Sequence, residues 1–233
     1  MNFAKPKLIT SFLACLSLAT MPVMAAKPAE NANPTIRAML GAVQLDRLDP
    51  ASTALVVIDF QQEYFTGRLP IPDGLKAVDK ARELIAFADK AKIPVYQVQH
   101  IAPAGSAVFA LGSEGVKFHP LMQPRAGDTV LQKTTVSVFG STALDTQLKV
   151  EGIKTVIVAG LMTHACVAGA ARDAAPLGYQ VVVASDASAT RTITRANGQS
   201  IDAQSLHRAA LAEIEDTFGD VMTTEQIINL PLM

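Results

Sequence analysis

Runs of consecutive apolar residues alternate along this chain with stretches of helical periodicity. TALVVIDF (53–60) is a continuous β-branched run, the pattern of a strand buried on both faces. Residues 74–92 follow with apolar positions at helical spacing: Leu75, Val78, Ala81, Leu84, Ile85 and Ala88. PVYQVQH (94–100), DTVLQK (128–133), TVIVAG (155–160), YQVVVASDA (179–187) and DVMTT (220–224) read as five further strands. Helices are expected at 141–151, from His164 to about Leu177 with Gly178 as the stop, and at 203–218. Strands alternating with helices predict an α/β domain, a parallel sheet with helices on both faces and right-handed crossovers.

In such sheets ligands meet the protein beyond the carboxyl ends of the strands. Asp59, His100, Lys133 and the segment 161–166 all fall there. One connection, 101–127, is long and lacks a regular pattern; loops of that length inside a domain are usually functional or disordered. It carries Phe109, Phe118 and His119 and is a candidate pocket wall. With Phe65, His100, Phe139 and His164, Phe109 and Phe118 make up the candidate substrate pocket.

The chain has 233 residues, enough for one domain whose core needs no disulfide or metal. Hydrophobic residues make up 49% and charged residues 18%, a globular composition. A net charge of -1, no Trp and 5% aromatics give no footprint for nucleic acid or an anionic membrane. The amino terminus has the layout of a secretory leader. Lys5 and Lys7 precede an apolar run (8–19), Pro22 ends it, and VMAAK (23–27) offers cleavage after Ala25 or Ala26. The domain plan is therefore a cleaved leader (1–25), a Pro-containing tail or linker (26–50) and one α/β domain (51–233), placed in the periplasm or secreted.

Cleavage alters the chemistry. The leader carries two lysines, no acid and Cys15, so the mature chain has a net charge of -3 and a single thiol, Cys166. In an oxidising compartment an unpaired thiol is worth examining for reactivity. Cys166 lies where the strand ending at Gly160 passes into a helix; there the helix dipole favours thiolate and free backbone N–H groups can receive an oxyanion. A small buried core residue is the competing reading. Asp59 ends a central strand, where a carboxylate is poorly explained by packing, although a cap or structural ion pair would also account for it. Lys133 is either solvated or part of the same cluster. If the three converge, the carboxylate can take the thiol proton while the ammonium keeps both partners charged. The four histidines, His100, His119, His164 and His207, show no metal-site spacing, and His207 reads as solvated. Signatures for dinucleotides, P-loops and serine hydrolases are missing from the sequence.

LVVIDFQQEYF, DTVLQKTTVSVFGST and GLMTHACVAGAARDAAPLGYQVVVASDASAT, in this order and spacing, resemble the isochorismatase-like cysteine hydrolases, a family that includes nicotinamidases and carbamoylsarcosine amidases. The resemblance spans roughly residues 51–228. It implies a three-layer Rossmann-like domain with a six-stranded parallel sheet in the order 3-2-1-4-5-6. It also implies an Asp59–Lys133–Cys166 triad, a cis peptide joining Leu161 to Met162, and an oxyanion hole from the Met162 and Cys166 backbone N–H groups. The activity implied is hydrolysis of an amide or related C–N bond of a small molecule through a thioester. Vinyl-ether cleavage of the isochorismatase type and a non-catalytic binding relative are the alternatives. Relatives commonly form homo-oligomers. Nicotinamidases hold a metal through an Asp-x-His pair after the second strand. Here that strand ends in Gln97-Val98-Gln99-His100, and the reading is of an enzyme with no cofactor and no metal.

Overall fold

A computed structural model describes residues 1–2 and 33–233. The leader read over residues 1–25 lies outside these apart from its first two positions. Residues 34–233 form one compact unit.

Six strands make the main sheet: β1 (Thr53–Ile58), β2 (Val95–His100), β3 (Thr129–Lys133), β4 (Thr155–Leu161), β5 (Gln180–Ala189) and, last in the chain, β8 (Asp220–Met222). Their order is β3-β2-β1-β4-β5-β8 and every neighbouring pair is parallel. This is the expected order, the sixth sheet strand being β8, because a two-residue hairpin, β6 (Ile193–Thr194) with β7 (Ser200–Ile201), intervenes. The helices are α1 (Ile36–Met39), α2 (Gly74–Ala91), α3 (Leu144–Val150), α4 (Ala168–Ala174), α5 (Ala203–Thr217) and α6 (Thr224–Ile228).

The period of two along a strand divides the core in two. Leu55 and Val57 of β1 join Val78, Ala81, Leu84 and Ala88 of α2 on one face. Ala54, Val56 and Ile58 join Leu144 and Leu148 of α3, Ala171 of α4 and Ile214 of α5 on the other. Leu75, expected on the buried stripe of α2, is 59% exposed; Gly74 and Ala77 take the buried positions of the first turn.

The segment read as a linker is tied to the domain from Pro34 onward. Arg37 pairs with the buried Asp220 at 2.9 Å, and the Leu45 N–H donates to the other oxygen of that carboxylate. Leu48 is buried and exchanges backbone hydrogen bonds with the carboxyl-terminal strip, accepting from Met233 and donating to Pro231. The domain boundary therefore falls near Pro34 and not at 51. Short polar contacts made at long sequence range caused the difference, and they leave no local pattern.

Two features of register shape the carboxyl edge. His100 pairs with Lys133 across β2 and β3, so the two side chains leave the sheet together. Between β4 and β5 the pairing jumps from Val158–Val183 to Gly160–Ser188, so two residues of β4 face five of β5. The excess places Asp186 where its carboxylate accepts from the Thr224 N–H and hydroxyl at the start of α6. Gly160 lets β1 approach closely: a Cβ there would lie 2.4 Å from the Ile58 carbonyl oxygen. Gly160→Ala is expected to lower unfolding stability by about 3 kcal/mol, the upper range for overpacking, as read from urea melts; a loss below about 0.5 kcal/mol would contradict this close packing.

Candidate active site

Each residue of the proposed triad is delivered by the end of a different strand. Asp59 directly follows β1, Lys133 ends β3, and Cys166 lies five residues after β4. The structure brings them together: Lys133 Nζ is 2.8 Å from Asp59 Oδ2 and 3.3 Å from Cys166 Sγ. Asp59 and Lys133 are fully buried and Cys166 is 5% exposed. Neither Asp59 oxygen receives a hydrogen bond of good geometry, so the carboxylate is held by charge and keeps lone pairs for a proton.

Local conformation explains how the groups are aimed. Asp59 sits at φ 56, in the left-handed region that Asp tolerates better than most residues. Its N–H still bonds to Val98 O, while its carbonyl accepts from Gln61 N two residues on, so the chain leaves the sheet plane at this point. The Leu161–Met162 peptide is cis. Residues Thr163–Val167 then form a π-type turn leading into α4, so Cys166 does not begin a regular α-helix as expected.

Burial dominates the electrostatics. The Cys166 thiol is pushed up to about 12, first by burial and then by the negative charge of Asp59, with Lys133 opposing. The resting sulfur is therefore a thiol. The helix-end argument for thiolate loses because desolvation of a sulfur anion beside a carboxylate outweighs a partial dipole charge. Asp59 is itself raised by burial, with Lys133 pulling it back. His100 completes the cluster: its Nδ1 lies 2.8 Å from Lys133 Nζ, and burial, with the Lys133 charge, lowers it to about 4. Neutral at pH 7, it accepts from the ammonium, which also donates to Thr135 O at 3.2 Å.

Two polar residues that the sequence reading passed over hold this arrangement. Gln61 is fully buried; its Nε2 donates to the carbonyls of His100 and Val116, and its Oε1 accepts from the His100 N–H. Glu63, 5% exposed, accepts from Arg68 N through Oε1 and from Phe109 N through Oε2. These bonds bind the long loop to the strand end. Phe109, at φ 53, packs edge-on against Tyr64 at 5.2 Å and lies 5.0 Å from the His100 ring. The signal available for both was polarity directly after a buried strand, in QQEYF.

The candidate pocket residues divide. His100 and Phe109 adjoin the triad, and His164 stands on the cysteine turn with Nδ1 2.6 Å from Thr190 Oγ1. Phe65 stacks on His119 at 4.3 Å and abuts the start of α2, and Phe118 borders a shallow surface depression with Gln99 and Pro120. Phe139 packs against Tyr179, the residue before β5. His207 is not simply solvated: its Nδ1 lies 2.8 Å from the buried Thr163 hydroxyl. It borders a cleft of about 600 Å³ with Asp73, Lys80, Ser188 and Thr190, and no triad residue lines that cleft. Among the described residues no three His, Cys, Asp or Glu side chains converge as a metal site, and no helix is long and apolar enough to cross a membrane.

Alkylation rates test the thiol assignment. At pH 7.5 iodoacetamide should label Cys166 at least about tenfold slower than free cysteine, the thiolate being scarce, and Asp59→Asn should speed labelling by removing the neighbouring negative charge. Faster labelling of the wild type than of free cysteine would contradict a buried thiol. His100 sets a pH dependence. Its folded value lies below that of the unfolded chain, near 6.5, so the unfolded state binds more protons between about 6.5 and 4. Its contribution to stability is thus present above about 6.5 and lost as pH falls toward 4. His100→Gln should flatten the slope of melting temperature against pH in that window; an unchanged slope would exclude the assignment.

The same architecture recurs in known proteins. The Isochorismatase domain model matches residues 53–226. A secreted isochorismatase effector, Isc1, of Verticillium dahliae is 33% identical, with 83% of this chain and 98% of that protein aligned. A maleamate amidohydrolase of Pseudomonas putida is 31% identical over 74% of this chain and 83% of its own length. The crystal structure of a putative isochorismatase from Burkholderia xenovorans superposes with a TM-score of 0.74 at 36% identity, covering 78% of this chain and 87% of that one. With the parallel sheet, its strand order and a match across most of the domain all agreeing, this chain belongs to the isochorismatase family of hydrolases.

Proposed function

We propose that the chain is an exported cysteine amidohydrolase that cleaves an amide or related C–N bond of a small molecule through a thioester. The observation that carries this reading is the Lys133 ammonium standing 2.8 Å from Asp59 and 3.3 Å from Cys166 in a buried site. A relative acting as a maleamate amidohydrolase supports C–N cleavage, and the leader-like amino terminus together with a secreted relative supports export.

The chemistry follows from the protonation states. The thiol stays protonated until a carbonyl carbon comes within reach of Sγ. As the S–C bond forms, the thiol proton passes to Asp59, whose raised affinity for protons suits it to the task. Negative charge moves to the carbonyl oxygen, where the Met162 and Cys166 backbone N–H groups receive it. The tetrahedral intermediate collapses, the C–N bond breaks, and Asp59 returns the proton to the departing nitrogen. Asp59 then takes a proton from water as its oxygen attacks the thioester; the acid leaves and the proton returns to sulfur. Lys133 remains an ammonium throughout and limits the charge imbalance at each step. His100 fixes that ammonium in place.

A panel of small primary amides and ureido acids, with isochorismate beside it, tests the reading. Cys166→Ala should keep the wild-type circular dichroism spectrum and lose turnover by at least about 1000-fold, and Asp59→Asn should lose a comparable factor. Rapid quenching should reveal an acyl mass increment on the Cys166 peptide. A Cys166→Ala protein with full activity, or hydrolysis of isochorismate with none of any amide, would overturn the proposal.

A further inference from the structure

The turn that carries Cys166 is held from outside at two consecutive residues. Its backbone bonds are long: the Met162 carbonyl is shared between Ala165 N, at 3.1 Å, and Val167 N, at 3.2 Å. The second has the five-residue spacing of a π turn, a geometry that is rare and occurs mostly as single turns. Side chains add two ties. Thr163 Oγ1 lies 2.8 Å from His207 Nδ1 on α5, and His164 Nδ1 lies 2.6 Å from Thr190 Oγ1, just beyond β5. The triad uses neither tie.

Packing alone does not account for the Thr163–His207 pair. Thr163 is fully buried, and among the described residues His207 is the one side chain bonded to its hydroxyl. His207 is half-buried in the wall of the cleft that Asp73, Ser188 and Thr190 also line. Burial lowers its proton affinity against the pull of the Asp73 carboxylate and the Ser185 backbone, so the ring is neutral at pH 7. A neutral imidazole offers one donor and one acceptor, and a hydroxyl can meet either. Two apolar side chains of the same shape could fill this space with no polar group to desolvate, and a buried hydrogen bond adds little net stability over them. What the bond supplies is a fixed distance between Thr163 and α5. That helix is a firm post: Asp202 caps its start, and Ala210 and Ile214 are buried beneath it.

Thr163 directly follows Met162 and stands three residues before Cys166, the two residues whose N–H groups are assigned to the oxyanion. We propose that His207, acting through the Thr163 hydroxyl, sets where those two donors point. His207 is thus a positioning residue for the hydrolysis and touches no substrate. The inference rests on the amidohydrolase reading for its effect on rate, though not for the tether itself. Oxyanion donors matter most as charge develops on the carbonyl oxygen, so a slack tether should act on kcat and leave KM nearly unchanged.

Wild type is compared with His207→Ala, His207→Asn and His207→Gln, with thermal melts as the folding control. Asn carries its amide where Nδ1 lies, and Gln carries it one bond further out, near Nε2, so Asn alone can meet the Thr163 hydroxyl. Hydrogen exchange of the Thr163–Val167 amides, followed by mass spectrometry, should quicken about tenfold in the Ala and Gln variants and return toward wild type in the Asn variant. With the best-cleaved amide of the panel, the Ala and Gln variants should lose about 100-fold in kcat and change KM by less than about twofold, and His207→Asn should recover most of kcat. If His207→Ala does not fold, His207→Gln and His207→Asn carry both comparisons. Unchanged exchange in the folded variants, equal recovery or none by Asn and Gln, or a loss confined to KM overturns the proposal. Exchange restored by Asn alone, with no amide turned over by any of the four proteins, upholds the tether and overturns the amidohydrolase reading.

Discussion

Everything at the carboxyl edge of this sheet depends on a lysine and an aspartate that are both fully removed from water. Burying an ion pair costs several kcal/mol per charge, and a hydrophobic pair of similar volume often does as well for stability. Lys133 and Asp59 are therefore poorly explained as a folding device. Their separation of 2.8 Å holds a charged pair in place beside Cys166. The same burial that makes the pair expensive keeps the thiol neutral and raises the proton affinity of the carboxylate. One constraint, exclusion of water, thus raises the proton affinity of both the carboxylate and the thiol.

Such a site needs rigid support, and the support is polar as well as apolar. Gln61 fastens the end of β2 to the long loop with three hydrogen bonds, and Glu63 ties the same loop through Phe109. Because both side chains are buried, each unmade bond would leave a desolvated group, so the loop has little freedom to lift away. A connection with no regular pattern is held in this way as a wall. The backbone contributes too: Asp59 and Phe109 both adopt left-handed conformations that surrounding contacts maintain.

Much of this was legible in the chain. Apolar runs such as 53–60 and 155–160, with helical periods between most of the strands, point to a parallel sheet because strands covered on both faces are apolar throughout. Strand-end positions then single out Asp59, His100, Lys133 and the segment before Cys166. Phe139 and His207 show where that reasoning weakens. Phe139 lies six residues after Lys133 yet turns to Tyr179, and His207, mid-helix and expected in solvent, meets the Thr163 hydroxyl across 44 residues of sequence. Neither contact has a local signature.

The sequence by itself determined the layer architecture and the placing of Asp59, Lys133 and the segment before Cys166 at strand ends, because periodicity and strand ends are local properties. Tertiary structure alone decided that burial holds the thiol protonated, that His100 is neutral and that residues 34–52 belong to the compact unit. Those outcomes turn on desolvation and on distances of a few ångströms between residues far apart in the chain, and Coulomb energies in a dry interior change too steeply with both for any one-dimensional pattern to encode them.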